Sequence, residues 1–220
     1  MTLRPHTAGC QTAPQAGLRR AVCSWLLIIM ALMTGPLLTT AGWAWAQQTD
    51  SERLGMALEY FQNGKYHEAM LILQDLNGHY RLNPRFQAYL GVCYYYEWDY
   101  RHATECLDKA LPKLEKFAPQ ERSFYYFANA ESLFNLEEYD RAMDNYRQML
   151  ALCRDDERGD AYYKMGMIAT FREDWLAALD NLQSAWHYYT HFNPDRKARI
   201  AQIHNMIQGC CDKIKEKQGE

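Results

Sequence analysis

From residue 50 onward, small and apolar residues recur at helical spacing in short blocks, and each block is followed by a second after a polar break. Leu54, Ala57, Leu58 and Phe61 make the first stripe, Asn63-Gly64 interrupts it, and Tyr66, Ala69, Leu73 and Leu76 make the second. Asn77-Gly78 is read as the end of that helix and Pro84 as the start of the next. Tyr89, Val92 and Tyr96, a turn near Trp98-Asp99, then Ala103, Leu107 and Ala110 repeat the scheme. Phe117-Ala-Pro119 reads as a longer connection. A third pair is expected over about 122–135 and 138–152, with Arg154-Asp-Asp-Glu-Arg158 as a charged linker behind it. A fourth pair is expected over about 159–172 and 175–189. After Asn193-Pro194 comes a last helix, about 195–217.

The blocks share one frame. A small residue is followed by an aromatic nine positions later and an alanine three after that: Ala57/Tyr66/Ala69, Gly91/Tyr100/Ala103, Ala130/Tyr139/Ala142 and Gly166/Trp175/Ala178. The steps between sets are 34, 39 and 36 residues. Self-similarity at that period marks stacked helical hairpins. The small residues are expected where two helices approach closely, since a larger side chain would push them apart. A glycine inside a helix costs about 0.5–1 kcal/mol relative to alanine, so Gly91 and Gly166 imply a near neighbour. The fold class that follows is all-α, a right-handed α-solenoid of about four helix-turn-helix repeats plus a C-terminal capping helix.

This pattern resembles the tetratricopeptide repeat family over roughly residues 50–192. Leu90-Gly91, Tyr94, Tyr100, Ala103, Leu107 and Ala110 match its motif, as do Met165-Gly166, Trp175, Ala178, Leu182 and Ala185. The third repeat departs from it, with Asn129-Ala130 in place of Leu-Gly and Leu133 in place of Tyr. The resemblance implies that the first helix of each repeat lines a concave face. Carried onto this chain, the lining includes Phe61, Arg85, Tyr95, Tyr96, Phe124, Phe127, Glu131, Phe134, Tyr163 and Phe171, with eight aromatics in all. Such a face suits extended apolar or amphipathic peptides, or sugar rings stacking on flat faces. At the positions where cytosolic relatives clamp a carboxylate with basic residues, this chain has Leu54, Leu58, Ala88 and Val92, so that clamp is absent.

The first 46 residues read differently. Arg4, Arg19 and Arg20 precede an apolar run from Trp25 to Met33, and Ala44-Trp45-Ala46 stands before Gln47. A basic start, a short apolar core and an Ala-x-Ala exit describe a secretory signal peptide. The other reading, an uncleaved anchor, needs about 20 predominantly apolar residues. The expected organisation is a signal peptide over 1–46, four repeats over 47–192 (about 50–83, 84–122, 123–158 and 159–192) and a capping segment over 193–220. Localisation follows as exported, periplasmic or associated with the cell envelope. Removing residues 1–46 takes away three arginines and no acid, which moves the formal net charge from −3 to −6. That argues against nucleic acid, which calls for a basic stripe.

Five cysteines remain in the exported part: Cys93, Cys106, Cys153, Cys210 and Cys211. Buried core thiols and a bridge between Cys93 and Cys106 are both open readings, and Cys210-Cys211 could pair with another molecule. The last helix carries Ile200, Ile203, Ile207 and Ile214 on one face and Arg199, Gln202, Lys213 and Lys217 on the other. It serves either as a solvating cap or as a joint between subunits in a homo-oligomer.

Chemistry is sparse. There is no Gly-rich phosphate loop, no His-Glu-x-x-His and no Gly-x-Ser-x-Gly. His187 and His191 are four apart at a helix end, and a solvated end is the preferred reading over a metal site. Glu131 stands among phenylalanines as a ligand hydrogen-bonding group or a surface site. No cofactor, metal or catalytic residue is expected. The sequence reads as an exported, non-catalytic scaffold that binds a protein or peptide. A glycan-binding envelope protein and an oligomerisation module are the alternatives.

Overall fold

The structure, a computed structural model, describes residues 49–219. The expected leader over 1–46 lies outside them. The described residues form α1 (Asp50–Gln62), α2 (Tyr66–His79), α3 (Pro84–Tyr96), α4 (Tyr100–Ala110), a 3₁₀ turn (Leu111–Lys113), α5 (Pro119–Asn135), α6 (Tyr139–Leu150), α7 (Asp155–Phe171), α8 (Trp175–Phe192) and α9 (Lys197–Gln218). Each odd helix up to α7 forms a hairpin with the helix after it. The hairpins stack through α2 on α3, α4 on α5 and α6 on α7, α3 also touches α5, and α9 lies on α8. The result is an all-α solenoid. Among the described residues, no helix is long and apolar enough to cross a membrane.

The small residues sit where the hairpins close. Ala57, Ala69, Ala103, Ala130, Ala142 and Ala178 are all buried, as are Gly91 and Gly166. A Cβ on Gly91 would stand 2.7 Å from Cγ of Leu107, and one on Gly166 would stand 2.8 Å from Cγ of Leu182. Both leucines lie four residues past the alanine of their set. The close neighbour is thus a branched side chain of the second helix, seated over the bare backbone of the first.

All four hairpins turn in the same way. Gly64, Trp98, Glu137 and Glu173 have φ of 71°, 64°, 62° and 57°, in the left-handed region. The residue after each donates its N–H to the carbonyl five back: Lys65 to Tyr60, Asp99 to Tyr94, Glu138 to Leu133 and Asp174 to Ala169. The left-handed residue itself donates three back, to Phe61, Tyr95, Phe134 and Thr170 respectively. This is the Schellman arrangement, in which a left-handed residue closes the helix and satisfies its last carbonyls. Only the first hairpin places glycine there. In the second and fourth, Asp99 and Asp174 then cap the next helix by accepting from the N–H of His102 and Ala177.

Several element ends differ from the sequence reading. Asn77-Gly78 does not end α2, which runs on to His79. The supposed linker at 154–158 is the first turn of α7. Glu157 accepts from the backbone N–H of Arg154, and Asp155, Asp156 and Glu157 put negative charge at the helix N-terminus. The fourth pair therefore covers 155–171 and 175–192, and the last helix starts at Lys197. The long step between the second and third sets does not loop out. Its 3₁₀ turn buries Leu111 and Leu114 in the core of the first two hairpins.

Helix α9 presses Ile203 and Cys210 against the fourth hairpin, with Ile200, Met206 and Ile207 partly covered. Gln202, His204, Asn205 and Gln208 face solvent. Arg199, placed on the solvated face by the sequence, instead lays its guanidinium 4.2 Å from the ring centroid of Tyr163.

Candidate functional site

Helical spacing puts the residues four and five past each small anchor on one side of the odd helices, the side expected to be the inner one, and there the rings meet. Phe61 packs edge-on to Tyr66 at 5.5 Å between centroids and lies 4.5 Å from Tyr89. Tyr66 stacks on Tyr96 at 3.9 Å with the planes 2° apart. Tyr95 meets Tyr96 at 5.0 Å and Phe127 at 6.5 Å, both edge-on. The run crosses from the first hairpin to the third. Tyr96 is 40% exposed, and Phe61, Tyr66, Tyr95 and Phe127 are half-buried. Burial, helped by a hydrogen bond with Tyr96, pushes the Tyr66 phenol up to about 12. Burial also raises the Tyr95 phenol above its usual range, with the charge of Glu131 next in weight. These hydroxyls stay protonated at neutral pH and can donate as well as accept.

A second group of rings lies towards the hairpin turns. Phe134, Tyr139 and Phe171 surround one another at 5.8, 6.2 and 5.7 Å. Phe171 is 53% exposed.

Between the two groups sits a charged knot. Glu131 is only 8% exposed. Its carboxylate accepts from the Tyr146 hydroxyl at 2.5 Å and from the Lys164 ammonium at 2.7 Å. Lys164 also lies 4.4 Å over the Phe134 ring. Tyr146 occupies the place held by Leu73, Leu107 and Leu182 in the other hairpins, so a phenol replaces an isobutyl group and reaches the carboxylate. Burial, and then Glu131, holds the Tyr146 phenol well above its usual range. Glu131 is therefore buried and paired, and the reading of it as a surface site is corrected. A tyrosine in a leucine position, facing an acid across the hairpin, is the signal that could have found this arrangement.

Two other residues expected on the inner face are engaged elsewhere. Arg85 holds Glu121 through Nε at 2.7 Å and an Nη at 3.0 Å, and Tyr125 donates to the same carboxylate at 2.6 Å. Its guanidinium also faces Tyr89 and Phe117. Tyr163 is 5% exposed and belongs to the core of the fourth hairpin. Phe124 and Phe127, by contrast, line a pocket of about 190 Å³ with Ser123, Met149, Glu157 and Asp160. Its floor is apolar. Asp160 is tied to the Tyr189 hydroxyl.

Other candidate chemistry resolves simply. His187 and His191 stand 4.2 Å apart, His191 hydrogen-bonds the His187 carbonyl, and no cluster of three or more potential metal ligands exists among the described residues. Cys93, Cys106, Cys153, Cys210 and Cys211 are all free thiols, the first four buried.

The comparisons bear on the fold. No protein-family model matches the chain. Over 137 residues it is 26% identical to a cell division cycle protein 27 homolog of Caenorhabditis elegans, covering 62% of this chain and 16% of that protein. It thus spans only a small part of the curated relative it matches. Among solved structures, MamA from residue 41 to its end, from Desulfovibrio magneticus RS-1, superposes with a TM-score of 0.52 at 18% identity, over 78% of this chain and 98% of that one. The C-terminal part of a TPR repeat-containing protein of Cytophaga hutchinsonii gives 0.53 at 16% identity, over 74% and 64%. The fold of this chain is similar to that of these repeat structures. Such solenoids offer extended surfaces built from repeated helices.

Proposed function

We propose that this protein is exported to the cell envelope and acts there as a non-catalytic scaffold, holding an extended apolar or amphipathic segment of a protein partner along its inner face. The observation that carries the reading is the run of rings from Phe61 through Tyr66, Tyr96 and Tyr95 to Phe127, which presents flat apolar surface with phenol donors at its edge. Tyrosine supplies large contact area with little side-chain freedom to lose, which suits peptide recognition. The pocket beside Phe124 and Phe127 has room for one side chain of such a segment. Export rests on the basic, apolar and Ala-x-Ala segments ahead of Gln47.

A photoreactive residue at position 96, compared with one at Asp144 on the outer helix α6, tests the groove in intact cells. Adducts that form from position 96 alone, and vanish when Phe127→Ala is added to a still-folded protein, support the reading. Equal adducts from both positions, or adducts that ignore Phe127→Ala, refute it. Mass measurement of the protein recovered from the envelope tests export: a chain starting at Gln47 is expected, and an intact N-terminus on a cytosolic protein overturns that part.

A further inference from the structure

A cleft of about 600 Å³ lies away from the inner face, at the edge where successive hairpins are connected. Asn77 from the end of α2, Arg81 and Asn83 from the connection, Gln87 from the first turns of α3, Lys109 from the end of α4 and Lys113 from the 3₁₀ turn converge on it. Three cations line the cleft and no carboxylate does.

That composition stands apart from the rest of the molecule. The chain is net acidic, and about half of its other described cations stand in ion pairs, among them Arg53 with Asp75, Arg85 with Glu121, Arg141 with Asp108 and Arg172 with Asp140. Among the described residues, Arg81, Lys109 and Lys113 have no ion-pair partner. A lysine in the last turn of a helix complements the macrodipole, which accounts for Lys109 at the end of α4. It does not account for Arg81, which lies in the connection outside any helix, or for Lys113. Lys113 is brought to the cleft by the inserted 3₁₀ turn, the feature that lengthens this one step of the array to 39 residues. Like charges gathered around one void repel each other, and an anion between them relieves that repulsion.

We propose that this cleft is an anion site for a ligand bearing at least two carboxylate or phosphate groups. The volume is within the usual range of small-ligand sites, about 300–1,000 Å³, and exceeds what one oxyanion fills. Arg81 offers a bidentate fork, the two lysines act as point charges, and the amides of Asn77 and Gln87 add donors that orient the ligand.

Calorimetric titration of the protein with citrate and with tripolyphosphate, at low ionic strength, tests the proposal. Saturable one-to-one binding is expected, weakening as salt is raised. The double variant Arg81→Gln/Lys113→Gln should bind at least about tenfold more weakly. Arg101→Gln/Lys215→Gln, which removes the same charge elsewhere, should bind like the parent. Urea unfolding of both variants checks that the fold is retained. Binding of citrate alone or tripolyphosphate alone tells a carboxylate ligand from a phosphate one. No saturable heat with either probe overturns the site. So does an equal loss in both double variants, which would mean diffuse charge and no site.

Discussion

The Lys164 ammonium on α7 lies 2.7 Å from the Glu131 carboxylate on α5, joining the third hairpin to the fourth across their inner side. Glu131→Ala would leave both that ammonium and the buried Tyr146 hydroxyl without their acceptor. Removing one partner of a buried pair costs about 3–5 kcal/mol, and the 23% exposure of the Lys164 side chain lowers the expectation to about 2–3 kcal/mol. Tyr146→Phe removes a single hydrogen bond and should cost about 1 kcal/mol. Urea unfolding measures both. A change below about 0.5 kcal/mol for Glu131→Ala, the range of an unremarkable surface substitution, would show that the pair does not hold the hairpins together.

Glycines in the helices should divide into two classes. Gly166→Ala places a methyl 2.8 Å from Cγ of Leu182 and forces one helix outward, at about 1–3 kcal/mol. Nothing lies within 4 Å of a Cβ at Gly55 in α1 or Gly209 in α9, so alanine there should stabilise by about 0.5–1 kcal/mol. Thermal or urea midpoints that move the same way in all three variants would contradict the account of hairpin closure.

The left-handed turn residues give the opposite test. Gly64→Ala should destabilise by about 1 kcal/mol, because an L residue pays a steric cost at φ 71°. Glu137→Gly relieves that cost at the equivalent place, offset in part by the extra freedom of glycine in the unfolded chain, and should be neutral to slightly stabilising. A clear loss on Glu137→Gly would mean that its side chain has a structural role.

Stability should fall in alkali. Burial, with Glu97 adding, pushes the Cys93 thiol from 9.0 up to about 12, and burial also raises the Tyr146 and Tyr125 phenols. A group whose pKa is higher in the folded state favours folding fully below its unfolded pKa and loses that contribution as pH rises towards the folded value. The urea midpoint should therefore hold to about pH 8.5 and drop above it, where the unfolded thiol and then the phenols ionise. Cys93→Ala should flatten the first part of the drop, and an unchanged profile would sink this assignment. Half-exposed Cys211 should react with a thiol reagent ahead of the buried Cys93, Cys106, Cys153 and Cys210.

Much of the fold was legible because its rule is local. The Ala57/Tyr66/Ala69 spacing and its three copies encode a helix, a turn and a second helix within one period, and a helix of period 3.6 shows its buried stripe in any window of that length. Where the reading failed, a charge pattern was ambiguous at short range. The run at 154–158 has the composition of a linker, and its acids are equally those of a helix N-terminus. The repeat frame sets Tyr95, Tyr96 and Phe127 at corresponding places on successive helices, but the fate of each side chain was not legible.

The sequence alone determined that this chain is an array of helical hairpins, and which small residues let each hairpin close. Packing decided the rest. Arg85 meets Glu121, Glu131 meets Lys164, and three cations surround one cleft across separations of about one repeat, through contacts between helices whose register no local pattern records. Side chains that share a periodicity can lie in the core, on an inner face or in an ion pair. Only the neighbouring hairpin, by filling space or supplying a partner for a buried charge, selects among them.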